Sequence, residues 1–429
     1  MSARDRLEEV FERLEKRAAD ERVYLKVYRD AARAAADAAD ARRRSGITLG
    51  PLDGALVSIK DLLDVAGEPT LAGSRIFRDH TPAGEDADVV RRLRQAGAVI
   101  IGKTNMVEFA FSGIGLNPHF GTPGNAADPD RIPGGSSSGA GVAVAEGTSD
   151  ISIGSDTGGS VRIPAAFNGV VGFKPTAQRV SLKGAFPLSY SLDSLGPLGR
   201  SVADCIVADA VMSGDTVLPP TPYPLSGLRV DVPRGRLFSQ TEALVADAFE
   251  ASLSRLSALG ARIDDCNLED LLEQMGEATS RASIASVEAA AIHADWIETR
   301  ADEIDPRVQK WIALRRTVTA ADYIRMMRKR SELMEAMDRR LASLDVLALP
   351  TVPIVAPLMA PLVADEKLYN RTDTLVLRNT TPINQFDLTA ISLPIPNTPL
   401  PVGLMLIARR NQDRRLLEIA LSVESALLH

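Results

Sequence analysis

Gly134-Gly-Ser-Ser-Ser-Gly-Ala-Gly141, then Val142–Gly147, then Ile151-Ser-Ile-Gly-Ser-Asp-Thr-Gly-Gly-Ser160 place two Gly-Gly-Ser turns on either side of a small-residue helix and a short strand. Glycine pairs let the backbone take positive φ and come close to a ligand. Each pair is followed at once by a hydroxyl. A run of free N–H groups beside a serine is what acyl transfer needs, a nucleophile with donors for the oxyanion. A Gly/Ser linker is the plain alternative, but linkers carry no apolar helix and strand between their glycines.

Composition sets the frame for this stretch. The chain has 429 residues, 45% hydrophobic and 24% charged, which suits a globular protein with a large core. Its formal net charge of −7 argues against a broad nucleic-acid surface. Cys205 and Cys266 stand in ordinary segments, so neither a disulfide framework nor a zinc site is expected, and a reducing cytoplasm fits. Met1–Arg6 opens directly into charged sequence without the apolar run of a signal peptide, and no run of eighteen apolar residues predicts a membrane span. The four histidines, His80, His119, His293 and His429, matter because a serine nucleophile usually relies on a histidine base.

Working outward, residues 4–42 carry Leu7, Val10, Phe11, Leu14 and Ala18 at helical spacing, which predicts one long or two shorter amphipathic helices ended by Gly46 and Gly50. Leu56-Val-Ser-Ile-Lys-Asp61 reads as a short buried strand with a lysine at its end. By itself Lys60 is best taken as a surface lysine at a strand terminus, since buried lysines need partners. Asp86–Ala96 is predicted as a helix with Arg91, Arg92 and Arg94 exposed, and Ala98–Ile101 as a buried strand. Residues 112–135 form a long irregular loop. Further strands are expected at Val170–Phe173, Leu228–Val232, Arg262–Asp265, Val346–Leu349, Ala390–Leu393 and Val402–Ile407. Helices are expected at Val161–Asn168, Ser201–Ser213, Thr241–Ala258 and Asp413–Leu427, with a connection at 214–226. From Leu268 to about Leu344 the chain reads as helical, a subdomain able to cover a cleft. Alternating strands and helices imply an α/β fold.

Two motifs fail on context. Gly97-Ala-Val-Ile-Ile-Gly-Lys-Thr104 is a literal Walker A match, but the residues between its glycines are themselves the strand, where a phosphate loop needs the strand before them. Gly135-Ser-Ser-Ser-Gly139 fits a nucleophile elbow centred on Ser137, yet a proline-rich loop, not a strand, precedes it, and His293 and His429 are poorly placed to serve it.

The order of several motifs resembles the amidase signature family. They are Gly-Gly-Ser-Ser-Ser-Gly at 134–139 and Gly-Ser-Asp-Thr-Gly-Gly-Ser-Val-Arg-Ile-Pro at 154–164, then Ser-Ile-Lys-Asp at 58–61, Ala-Gly-Ser at 72–74 and Gly-Lys-Thr-Asn-Met at 102–106. Gly-Phe-Lys-Pro-Thr at 172–176, Leu-Asp-Ser-Leu-Gly-Pro at 192–197, Pro350-Thr-Val-Pro353 and Pro401-Val-Gly-Leu404 continue the match. The resemblance implies one domain over 1–429, with a helical segment at 1–46, a core at 50–215 and the helical subdomain at about 268–344. It implies a large mixed, twisted β-sheet covered by helices on both faces.

It also implies a Ser–cis-Ser–Lys triad: Ser160 as nucleophile, Ser136 as the bridging serine after a cis peptide, and Lys60 as base. The amides of Thr157, Gly158, Gly159 and Ser160 would form the oxyanion hole. Met106, Phe109, Ala110, Phe111, Ser112 and Gly113 match the segment lining the acyl pocket, though their apolar members read equally as core. Asp156 and Arg162 match positions near the triad, where a structural ion pair is the better reading than substrate contact, and Ser137 is expected to hydrogen-bond within the site. A lysine base must be neutral, so burial or neighbouring dipoles must lower its pKa. The implied activity is hydrolysis of a small-molecule amide without cofactor or metal, with no nucleic-acid or membrane partner and the homodimeric state open. The A subunit of a tRNA-dependent amidotransferase and a non-catalytic binding protein are the alternatives. Asp387, Thr389 and Met405 depart from the usual Gly, Pro and Gln, and are expected to bear on substrate identity.

Overall fold

The computed structural model describes residues 1–16, 22–315 and 317–428. In chain order the elements are α1 (Ala3–Lys16), β1 (Tyr24–Val27), α2 (Arg29–Arg44), β2 (Leu56–Lys60), α3 (Asp88–Gln95), β3 (Val99–Thr104), α4 (Ser138–Ala145) and β4 (Ile151–Asp156). There follow α5 (Arg162–Asn168), β5 (Val171–Lys174), β6 (Ser194–Gly199), α6 (Val202–Ser213), β7 (Arg229–Pro233), α7 (Ala243–Ala258), β8 (Arg262–Cys266), α8 (Glu269–Ala278) and α9 (Ile284–Ile292). The chain closes with α10 (Pro306–Arg315), α11 (Ala320–Arg340), β9 (Val346–Pro350), α12 (Met359–Ala364), α13 (Glu366–Leu377), α14 (Thr381–Gln385), β10 (Thr389–Pro394), β11 (Gly403–Ala408) and α15 (Asp413–Leu428).

Among the described residues, eleven strands form one mixed sheet in the order β1-β3-β2-β4-β6-β5-β10-β11-β9-β7-β8. β3, β2 and β4 run parallel, as do β9, β7 and β8, and the pairs between these two blocks are antiparallel. Alternation of side chains across each strand sends apolar residues to both faces. Val57, Ile59, Ile100, Ile151 and Ile153 join one cluster with residues of α3, α6 and α10. Leu56, Val99 and Ile101 pack against α1, α2 and α4. At the other end, α7 and α15 cover one face through Phe249, Leu256, Leu416 and Val423, while α8 and α11 cover the other through Met275, Leu333 and Met337. The sheet is therefore buried on both faces, as its near-continuous apolar strands require.

The sequence reading does not show β1, β6, α12, α13 or α14. Residues 4–42 hold two shorter helices, α1 and α2, one of the two expected arrangements, and the unexpected element is β1 between them. It pairs antiparallel with β3 through Tyr24↔Thr104 and Val27↔Gly102, and its four residues are too few to show a period-2 pattern within alanine-rich sequence. Leu7, Val10, Phe11 and Leu14 are buried on α1, while Ala18 lies outside the described residues, as does His429. β6 carries no strand signal because Gly196, Pro197 and Gly199 are poor strand formers, yet it pairs with β4 over six residues and accepts β5 on its other edge. α14 is a single turn, too short for helical periodicity to show. Residues Gly97–Thr104 end in β3 as expected, and Lys103 is buried on that strand, 3.9 Å from Asp61 and 3.8 Å from Glu68.

α6 begins with a capping box in which Ser201 Oγ accepts the Asp204 amide and Asp204 accepts the Ser201 amide. Ser201→Ala should lower unfolding free energy by about 1 kcal/mol in urea titration while leaving turnover unchanged, because α6 does not touch the site described next.

Candidate active site

β2 and β4 are neighbours with Ile59 opposite Ile153, so their C-terminal ends open on the same edge of the sheet. Along β2, Val57 and Ile59 face the apolar core, and the alternate positions Ser58 and Lys60 face the side on which α4 lies. Lys60 is 0% exposed. Its Nζ lies 2.7 Å from Ser136 Oγ and 2.8 Å from Ser155 Oγ, hydrogen-bonded to both. Burial pulls the ammonium down to about 7 against the attraction of Asp193 and Asp156.

Ser136 stands just before α4, after a cis Gly135–Ser136 peptide. Its backbone is pinned on both sides: Gly135 N–H donates to Gly113 O at 2.8 Å, and Val107 N–H donates to Ser136 O at 3.0 Å. Ser137 N–H reaches the Ser160 carbonyl at 3.3 Å, which ties the first Gly-Gly-Ser turn to the second. Ser137 Oγ donates to Ser155 O at 3.3 Å.

The second turn, from Thr157 to Ser160, is held from beneath by Asp156. Its carboxylate accepts from the amides of Gly159 at 2.9 Å and Val161 at 3.1 Å, and from Arg162 Nε and Nη2 and Asn384 Nδ2. Burial alone would raise this carboxyl, but the Arg162 charge and hydrogen bonds outweigh it and hold Asp156 well below the usual carboxylate range. With Gly159 N–H committed to Asp156, the amides of Thr157, Gly158 and Ser160 have no acceptor among the described residues. Gly159 has φ +134°, and a Cβ there would collide with Thr380 Oγ1, so only glycine fits. Asp193, just before β6, fixes Thr157 through a 2.5 Å bond from Oγ1 and accepts the Leu188 and Ser189 amides; burial pushes its carboxyl up to about 6 against those bonds.

Ser160 opens on a cavity of about 480 Å³. Of the residues matched to the acyl-pocket segment, Ala110, Phe111 and Ser112 line it, Gly113 adjoins it, and Met106 and Phe109 are buried behind it. Thr157 and Gly158 share the lining, but Ser137, Asp156 and Arg162 do not; the last two are the structural ion pair beneath the turn. The far wall comes from α9 (Ile284–Ser286), α10 (Arg307, Val308, Trp311) and α13 (Tyr369, Asp373, Leu377). Sequence reading missed those residues, and also Ser155 and Asp193. On α13 the spacing of Tyr369, Asp373 and Leu377 by four marks one helix face, the only local signal available. His293 is fully buried beside Phe109, Phe186 and Trp296, with neither ring nitrogen partnered among the described residues, and burial lowers it to about 3. It has no bond to Ser136 or Ser160.

The departures at Asp387, Thr389 and Met405 do not shape the cavity, contrary to the expectation drawn from their C-terminal place. Asp387 has φ +55°, a position that suits glycine and that Asp tolerates, and it accepts the Ala177 amide at 2.8 Å. Thr389 opens β10, and its hydroxyl reaches Lys174 O. Met405 Sδ sits 3.4 Å from Arg162 Nη1, beneath the Ser160 turn.

A model described as Amidase matches residues 5–417. The chain belongs to the amidase family. It is 36% identical over 402 residues to 2-amino-5-chloromuconic acid deaminase of Comamonas testosteroni, covering 92% of this chain and 86% of that protein. It is 35% identical over 428 residues to the A subunit of glutamyl-tRNA(Gln) amidotransferase from Symbiobacterium thermophilum, covering 91% and 86%. Its fold is similar to a crystal structure of an amidase at a TM-score of 0.89 and 35% identity, covering 100% of this chain and 96% of that one. The mixed sheet with helices on both faces is thus the fold of this family, and no helix among the described residues is long and apolar enough to cross a membrane.

Because Met405 touches Arg162 and not the cavity, Met405→Gln should leave the ratios of kcat/KM among different amides within about twofold of the parent. A changed rank order of substrates would place Met405 in specificity after all.

Proposed function

We propose that this amidase-family hydrolase cleaves the C–N bond of a small-molecule amide through an acyl-enzyme on Ser160, with Ser136 as proton relay and Lys60 as base. The observation that carries the reading is the contact of a fully buried lysine with Ser136, on a turn bonded to the one bearing Ser160. A neutral amine has two N–H donors and one lone pair. One N–H to Ser155 Oγ leaves the lone pair for the Ser136 proton, while Ser136 Oγ takes the proton of Ser160. Ser160 Oγ then bonds to the amide carbon. The carbonyl oxygen gains negative charge, and the unengaged amides of the turn receive it. The proton returns from Lys60 through Ser136 to the leaving nitrogen, the C–N bond breaks, and ammonia or an amine departs. Water attacks the ester by the same relay in reverse, releasing the acid and Ser160.

A second reading, the glutaminase-type A subunit of a tRNA-dependent amidotransferase, is supported by likeness to such subunits over most of the chain. Turnover of simple amides by the purified chain alone favours the first reading; ammonia release from glutamine only with added partner subunits favours the second.

Three outcomes test the roles assigned here. Ser160→Ala should lower kcat by several orders of magnitude in an ammonia-release assay, and Ser137→Ala should be milder; the reverse order would refute the nucleophile. Lys60 is active as the free base, so kcat/KM should rise with pH through an ionisation of about 7 and then plateau. An unperturbed lysine would leave roughly one molecule in a few thousand competent at pH 7, against about half here. Lys60→Ala should remove that limb with most of the activity, and Lys60→Arg should not restore it, because guanidinium stays protonated.

A further inference from the structure

The cavity beyond Ser160 presents mainly apolar surface between polar side chains, and its charged residues are Asp373, Arg307 and Arg378. Their bonds decide which charge a substrate meets. Arg307 is neutralised in place: its Nε and Nη2 donate to Asp305, at 2.9 and 2.8 Å, and its guanidinium lies over the Tyr369 ring. Arg378 turns its donors to Leu237 O, Ser239 O and Asn379 Oδ1, none of which lines the cavity. Asp373 differs. Its Oδ1 accepts Ser112 Oγ–H at 2.8 Å and Gly113 N–H at 2.9 Å, Oδ2 accepts nothing among the described residues, and no cation bonds to it. Burial raises its carboxyl to about 6, which still leaves it ionised at neutral pH. The segment it grips is the one that holds Gly135, and Asp373 lines the same cavity as Ser160. Oδ2 is thus left open, on the cavity wall, to a donor from a ligand, with Arg307 acting on the carboxylate only through space.

We propose that Asp373 is a specificity subsite for a protonated amine, and that the preferred substrates are amides carrying an ammonium group apart from the scissile bond. This rests on the amidase reading and names its substrate class. The ammonium donates to Asp373 Oδ2, the alkyl segment between the two groups lies on Leu377 and Ile284, and Ser112 and Gly113 keep the carboxylate from rotating away. An acidic side chain meets like charge at Asp373 there, while Arg307 already has its carboxylate and the donors of Arg378 go to neutral acceptors outside the cavity.

The test compares ω-amino amides with alkyl amides and ω-carboxy amides of matched length, over a series of lengths. Turnover is measured with the parent and Asp373→Asn. Binding is measured by calorimetry with Ser160→Ala and with Ser160→Ala/Asp373→Asn. The parent should favour the best ω-amino amide over its alkyl counterpart by about tenfold or more in kcat/KM. Asp373→Asn keeps an oxygen for Ser112 and Gly113; it should erase that preference and leave alkyl amides within about threefold. Asp373→Glu should keep the preference with a shorter optimal chain. The same preference should appear in affinity for Ser160→Ala, a readout that stands even if no amide in the panel is hydrolysed, the result that would count against the amidase reading alone. Equal affinity for the amino and alkyl ligands, a preference for the carboxy series, or an equal loss for all ligands in Asp373→Asn would overturn the proposal.

Discussion

The structure turns on the cost of burying one amine. Lys60 ends a strand whose neighbours on both sides are β-strands, and none of its surface is exposed. A charged ammonium in such a place must be matched by a carboxylate or give up its proton. The nearest hydrogen-bonding groups are two serine hydroxyls, which serve the neutral amine as well as the charged one. Asp156 and Asp193 act only at longer range, and each is engaged elsewhere: Asp156 by Arg162, Asp193 by Thr157 and two amides. In the proposed mechanism the base is therefore not a histidine, which accords with a chain that has four histidines and brings none of the three described ones to the serines.

The second constraint is the turn after β4. Ser160 can be presented at the cavity only if the backbone before it doubles back tightly, and Asp156 organises that turn by gathering two of its amides. Arg162 then balances Asp156 inside the core, a pair with no exposed surface. Removing either partner would strand the other charge, so the pair holds geometry and contributes nothing to substrate contact. Met405 completes the cradle with a soft sulfur acceptor, and Asn384 with an amide, which explains how the guanidinium is satisfied with a single carboxylate.

Much of this was legible in the chain because function here rests on local sequence. Gly-Gly-Ser turns announce tight backbone, whereas Lys60 by itself reads as a surface lysine and only the family resemblance gives it a role in the site, where it is in fact fully buried. The departures at Asp387 and Met405 could be seen, but not their place, since sequence order does not say which side of β11 meets Arg162. β1 and β6 were invisible for different reasons: one is a four-residue strand in helical surroundings, the other is built from Gly and Pro and is held by neighbours on both edges. The far wall of the cavity was least legible. Arg307, Tyr369 and Asp373 come from helices distant in sequence, and amphipathic spacing says only that one face of each is turned inward.

The central claim is that Lys60 gives up its proton near neutral pH. Protein carrying 13C at the lysine ε-carbon, titrated by NMR with Lys60→Ala as the assignment control, reads that ionisation without any substrate. The account predicts one resonance titrating near 7, absent from the Lys60→Ala spectrum. A Lys60 resonance that titrates at about 10 with the surface lysines would contradict it.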